Sequence, residues 1–229
     1  MTAPISDPQP SESTSGPSDS ATRRRRPLRR EGSLVERRLG GPRGLQQRYC
    51  GGESSGRAEL AALRRAARMP PGALPEVWAL TECPVPPGHG DAPTREEIAV
   101  HTAMTLYGIH QQSRTEPMHV PGRGLGQAAR TLIGPPDDEL SSARARFNAL
   151  VTSTTTSELT HHLQAFVSQL RARRIPLDYA ALADELVRFQ QADGAKTVRL
   201  TWARQYAGLE HTPTPDNTDS TDSHSTLEH

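Results

Sequence analysis

The chain has 229 residues, a formal net charge of +1, 34% hydrophobic residues and only 4% aromatics. No apolar run approaches the length that crosses a bilayer and no apolar signal region opens the sequence, which argues against a membrane protein and for a cytoplasmic one. Cys50 and Cys83 are the only cysteines and lack CxxC spacing, which excludes a disulfide framework and fits a reducing compartment.

The near-zero charge hides an uneven distribution. Residues 1–32 hold six Arg (23–26, 29 and 30) against four acids, and 209–229 hold five acids with no Lys or Arg; 33–208 retain 21 basic and 17 acidic residues. The part able to fold is therefore mildly basic, a weak pointer to an anionic partner. Every basic residue except Lys196 is Arg, whose planar guanidinium stays charged and grips phosphate through a fork of donors.

In chain order, residues 1–32 are rich in Ser, Pro, Thr and Asp and are expected to form a disordered basic arm. A first helix over Leu34 to Tyr49 is weakened by Gly40, Gly41 and Pro42. Arg57 to Arg68, rich in Ala, Leu and Arg, predicts a strong second helix, ended by Pro70, Pro71 and Pro75 before an irregular stretch reaching Pro93. Thr94 with Glu97 three residues on is a capping-box pattern. The helix it opens has Ile98, Thr102, Thr105 and Ile109 beside Ala99, Ala103, Leu106 and His110, a broad apolar surface that predicts burial on several sides. A Pro- and Gly-rich loop follows, and a short helix begins at Leu125.

Gly134, Pro135 and Pro136 make the next break, after which Ser141 or Ser142 opens a helix through Val151. Leu159, Leu163, Phe166, Val167 and Leu170 recur at the helical period and define a core stripe. Pro176 interrupts; Asp178 is placed to cap a helix carrying Tyr179, Leu182, Leu186 and Phe189. After Asp193-Gly194 a final helix sets Val198, Trp202 and Tyr206 four apart, a spacing that favours core packing over base stacking. Residues 209–229 form a polar acidic tail with a tag-like Leu-Glu-His end. Strand-like alternation is almost absent, so the fold class is all-α: a helical bundle over 33–208, expected as two small helical subdomains joined around Pro70–Pro93 or near 134–138, with disordered tails.

No arrangement for catalysis stands out. Nine His include His101, His110, His119 and the pair His161-His162, without HExxH or finger spacing; His110 reads as a core histidine, and His161 and His162 are expected on different helix faces. The Gly122-Arg123-Gly124-Leu125-Gly126 loop has Gln127 where a dinucleotide fingerprint needs Gly and no preceding strand, so it reads as a turn allowing close backbone approach. A sharper alternative has its N–H groups and Arg123 touching phosphate. On a helical wheel Arg57, Arg64, Arg65 and Arg68 share one sector beside Leu60, Leu63 and Ala67. Arg144 and Arg146 precede Phe147, Lys196 and Arg199 lie one turn apart with Arg204 beyond, and Arg114 and Arg123 bracket the loop. If folding gathers them they form a track for a phosphate backbone; the competing reading is solvated helix faces. Arg171, Arg173 and Arg174 close a helix and complement its dipole.

The segment LYGIHQQSRTEPMHVPGRGLGQAAR (Leu106 to Arg130), followed by RARFNALV, LQAFVSQLRARRIPLDYAALADELVRFQ and VRLTWARQYAG up to Gly208, resembles the CasB family, the small subunit of the type I-E CRISPR surveillance complex Cascade. The resemblance spans about Leu34 to Gly208. It implies a non-catalytic, cofactor-free helical subunit, dimeric along an RNA-guided filament, with other Cascade subunits, guide RNA and target DNA as partners. It implies a basic surface at Arg64, Arg65, Arg95, Arg144, Arg146, Lys196 and Arg199, with Arg123 as a further candidate. Two other classes stay open on the residues alone: a helix-turn-helix regulator built on the Pro176 turn, and an adaptor that binds only proteins.

Overall fold

The computed structural model describes residues 26–134 and 142–208. Its helices are α1 (Arg30–Leu39), α2 (Leu45–Cys50), α3 (Ser54–Ala66), α4 (Trp78–Thr81, after a 3-10 turn Pro75–Val77), α5 (Arg95–Gln111), α6 (Leu125–Ile133), α7 (Ser142–Thr152), α8 (Thr156–Arg173), α9 (Tyr179–Phe189) and α10 (Gly194–Ala207). There is no strand among the described residues; the nearest approach is an isolated parallel bridge between His119 and Leu177. The all-α class is as the sequence predicts.

α5 is the central helix. It packs against α1, α3, α4, α8 and α9, and its residues from Ala99 to Gly108 are all buried. The Thr94 cap forms as its spacing requires: Thr94 Oγ1 accepts from Glu97 N (3.1 Å), and Glu97 Oε2 accepts from Thr94 N (2.8 Å). Thr94→Ala removes the acceptor from this first turn and is expected to lower unfolding free energy by about 1 kcal/mol, read as a shifted urea midpoint at constant m-value. The α8 stripe and Tyr179, Leu182, Leu186 and Phe189 of α9 are buried as predicted, and Asp178 Oδ1 caps α9 by accepting from Ala181 N at 3.0 Å.

Three local expectations are corrected. The single helix over Leu34 to Tyr49 is two, α1 and α2, because the Gly40–Pro42 turn breaks it and Gly44 packs against the Leu39 carbonyl. Helix α1 begins at Arg30, before the boundary at 33, because its N-terminal cap is remote: Asp184 of α9 accepts from Arg29 N and Gly32 N, both at 2.7 Å. The proline-rich stretch holds the 3-10 turn and α4, whose Val77 and Leu80 enter the core.

The buried side chains from α1 to α10 form one contiguous hydrophobic cluster. The subdivision expected near 134–138 falls largely on residues outside those described, as do residues 1–25 of the basic arm and the tail 209–229.

The loop between α5 and α6 is held by two glutamines. Gln111, fully buried, accepts from Met118 N (2.9 Å) and donates to the carbonyls of Arg114 and Glu116 (2.9 Å each). Gln46 of α2 accepts from His119 N (2.8 Å) and donates to His119 O (3.0 Å). Leu177 N donates to Met118 O, and Val120 N to Leu177 O, tying the loop to the segment before α9.

Candidate nucleic-acid interface

Arg144 of α7 and Arg199 of α10, remote in sequence, line one cleft of about 280 Å³. Its other walls are Phe147, Asn148 and Val151 of α7 and Ala203 and Tyr206 of α10. The α7 residues are spaced three, four and seven apart and the α10 residues four and seven apart, so each helix contributes one face. Among the described residues, none that lines it is acidic. A guanidinium Nη of Arg199 donates to the Ser153 carbonyl at the end of α7, which ties that side chain to the neighbouring helix. Arg146 and Lys196, on the same two helices, are exposed and do not line it; Arg146, two residues and roughly 200° from Arg144, lies on the opposite side of α7.

The other expected cations do not line this cleft. Arg64 is partly covered and Arg65 exposed near the C-terminal end of α3. Arg65 lies 3.4 Å from Glu76 in an exposed pair, a weak interaction that still offsets some of its charge. Glu59, the acid nearest this arginine sector in sequence, is instead taken by Arg48 of α2 in a two-point bond (2.7 and 2.5 Å). Arg95 is exposed in the first turn of α5, where its carbonyl accepts from Gln190 Nε2 (2.9 Å).

The glycine loop offers little backbone to a phosphate. Four of its five amides are already engaged: Gly122 N donates to Asp178 Oδ2 (2.7 Å), Arg123 N to Val120 O (3.3 Å), Gly124 N to Gln127 Oε1 (3.2 Å) and Gly126 N to Gln205 Oε1 (3.0 Å). The half-buried Arg123 side chain remains as a candidate there. The turn reading holds, since Gly122 has φ +78° and Gly126 lies directly against the α10 backbone. At the end of α8, Arg171 donates to Gln112 Oε1 (2.7 Å) and Arg174 lies 3.4 Å from Glu116, the structural role their position implies.

His110 is the core histidine the sequence suggests: fully buried, its Nδ1 2.8 Å from Tyr179 Oη, and pushed down to about 3 by burial. His161 and His162 do not diverge as expected; their rings meet edge-on with centroids 5.6 Å apart, because neighbouring imidazoles can lean together across the roughly 100° between them. Glu36, His119 and Asp178 bring three potential ligand atoms within 4.8 Å. His119 Nδ1, however, accepts from Tyr179 N (3.1 Å), so the neutral ring carries its proton on Nε2, toward Glu36 at 3.4 Å. A metal at Nε2 needs that nitrogen bare, and both Asp178 oxygens already accept backbone amides. The cluster is a packing junction of α1, the loop and α9.

The helix-turn-helix reading fails on geometry. Its recognition helix would be α9, but seven of its residues are buried and it packs against α1, α5 and α10. It presents no free face to a groove.

Comparison with known proteins addresses the lineage directly. Residues 59–206 match the family model of the CRISPR-associated protein Cse2. The chain belongs to the Cse2 family. Among solved structures, CasB from Thermobifida fusca is 33% identical, with a TM-score of 0.65 over 79% of this chain and 99% of that one. A Cse2-family CRISPR-associated protein from Thermus thermophilus is 24% identical, with a TM-score of 0.54 over 78% of this chain and 96% of its own. CasB from M. ruber is 22% identical, with a TM-score of 0.54 over 80% of this chain and 95% of its own. The last two support the fold alone. No curated protein matches the chain. Among the described residues of this Cse2-family chain, no helix is long and apolar enough to cross a membrane.

Proposed function

We propose that the chain is the non-enzymatic small subunit of a type I-E Cascade, acting in the cytoplasm as a homodimer beside the other subunits and the guide RNA. Its task is to stabilise the opened target DNA, the R-loop, in antiviral defence. The observation that carries this reading, beyond family membership, is the α7–α10 cleft walled by Arg144 and Arg199, with no acid among its described lining residues and with the exposed Arg146 and Lys196 elsewhere on the same helices. Sequence is read by the guide; the protein supplies charge. Exchanging a DNA duplex for a guide–target heteroduplex is nearly balanced in free energy, so a few phosphate contacts suffice to keep the opened state populated. Arg64, Arg65 and Arg95 extend the proposed surface at α3 and α5, and Arg123 adds a further cation. No cofactor is invoked.

The test is assembly with the neighbouring subunits and a guide RNA, comparing the natural chain with Arg64→Ala, Arg65→Ala, Arg144→Ala and Arg146→Ala combined. R-loop retention is expected to fall roughly tenfold at moderate salt, with a shallower salt dependence because fewer counterions are released. Unchanged retention and slope would mean the surface is misassigned. Incorporation that is salt-insensitive, with no nucleic acid retained, would favour the adaptor reading.

A further inference from the structure

The α7–α10 cleft is more than charged. Its floor continues a column of aromatic rings that rises from the core: Phe166 of α8, fully buried, lies 5.8 Å from Phe147, and Phe147 lies 5.3 Å from Tyr206, tilted by 38° and 32°. Tyr206, the outermost ring, is half-buried and lines the cleft. Its hydroxyl donates to Gly134 O (3.2 Å), so the ring is held rather than free to swing. Val151 and Ala203 add apolar wall, and the exposed amide of Asn148 stands at the edge. At about 280 Å³ the cleft falls just below the range that engulfs a drug-sized ligand. It has room for one planar ring with its polar substituents outside.

We propose that this cleft accepts one unstacked base of a single strand, its ring continuing the Phe166–Phe147–Tyr206 column and its flanking phosphate on Arg199. The inference rests on the nucleic-acid reading above and deepens it, from charge along a surface to a fixed base site. Arg199 is suited to the phosphate. Its Ser153 bond uses one Nη and its Nε is buried, so the donors left for a phosphate are the remaining Nη N–H groups, and guanidinium binds phosphate with such paired donors. Arg144, which has an interaction of its own, contributes field from the opposite wall. A base on an aromatic ring tolerates any sequence, because every base has a π face. The site is therefore compatible with a protein that leaves sequence to the guide.

The experiment uses the full chain and two fluorescein-labelled single strands of equal length, one of thymidine throughout and one abasic throughout. Both present the same phosphate charge. The natural chain is expected to bind the intact strand roughly tenfold more tightly, the scale of one stacked base. Tyr206→Leu is expected to erase that preference while leaving the salt slope unchanged; Tyr206→Phe is expected to keep it. Equal affinity of the natural chain for both strands, with normal salt dependence, overturns the base site and leaves the proposed function standing. No binding of either strand at low salt overturns both. If Tyr206→Leu does not fold, the intact-against-abasic comparison on the natural chain decides alone.

Discussion

Gly126→Ala is expected to cost about 3 kcal/mol of stability, a large effect for one methyl group on a helix that otherwise favours Ala. The reason lies across the α6–α10 contact. A Cβ at Gly126 would collide with the Trp202 carbonyl and meet Gln205 Cβ at 2.7 Å. The first obstacle is backbone in the middle of a helix, so it cannot rotate away. Relief requires moving α10 off α6, which loosens Trp202 in the core and strains the Gly126 N bond to Gln205. The measurement is urea unfolding with Gly90→Ala as control: Gly90 has nothing within 4 Å of its would-be Cβ, and its substitution should stay within about 0.5 kcal/mol. Equal midpoints for the two variants would show that the helices separate without cost.

The second large effect is in pH. Burial holds the His110 ring down at about 3 against its ordinary 6.5, with Arg171 and Arg114 acting in the same sense and the Ile175 backbone against it. The unfolded chain therefore binds a proton between pH 6.5 and 3 that the folded chain refuses. Stability from this group is full above 6.5 and is lost as pH falls through that window, by about 5 kcal/mol in total. His101, also lowered by burial, adds to the same slope. Glu185 works oppositely. Burial raises it from 4.5 to about 7, despite the indole of Trp202, which donates to it at 2.7 Å; Asp178 and Asp184 raise it further and Arg26 lowers it. Its folded form keeps a proton that the unfolded chain releases above 4.5, so stability falls as pH rises from 4.5 to 7. His110→Gln is expected to flatten the acid limb. Glu185→Gln, which keeps an acceptor for Trp202, is expected to gain about 3 kcal/mol near pH ~8 and nothing near pH ~4. Unfolding curves across roughly pH 3.5–8 read both; parallel profiles for the natural chain and both variants would refute the account.

Much of the fold was legible because it depends on neighbours in sequence. The Thr94–Glu97 box, the Asp178 cap and the α8 stripe are rules of spacing, and each formed as spacing requires. What escaped depends on partners far along the chain. Asp184 caps α1 from α9, and no local pattern marks it. Glu185 looks like a solvated helix carboxylate until Trp202 closes over it. The glycine loop suggested open amides, and only the folded chain shows Asp178, Gln127 and Gln205 taking them. For the candidate interface, residue type was readable and assembly was not. Arg144 and Arg199 were unrelated cations on two helices until the fold set them across a cleft. Tyr206 has a core spacing with Val198 and Trp202 and packs against the core, and only the fold shows that its other side lines the cleft.

The glutamine clasp on the α5–α6 loop bears on how such a chain emerges from a ribosome. The loop takes its shape from Gln46 before it, from Gln111 at its root and from Leu177 well after it. Until Leu177 is synthesised, its backbone partners at Met118 and Val120 have nothing to pair with. The early helices can coil, but the middle of the molecule has to wait for a residue made much later, so the nascent chain commits to its architecture only after Leu177 has left the ribosome.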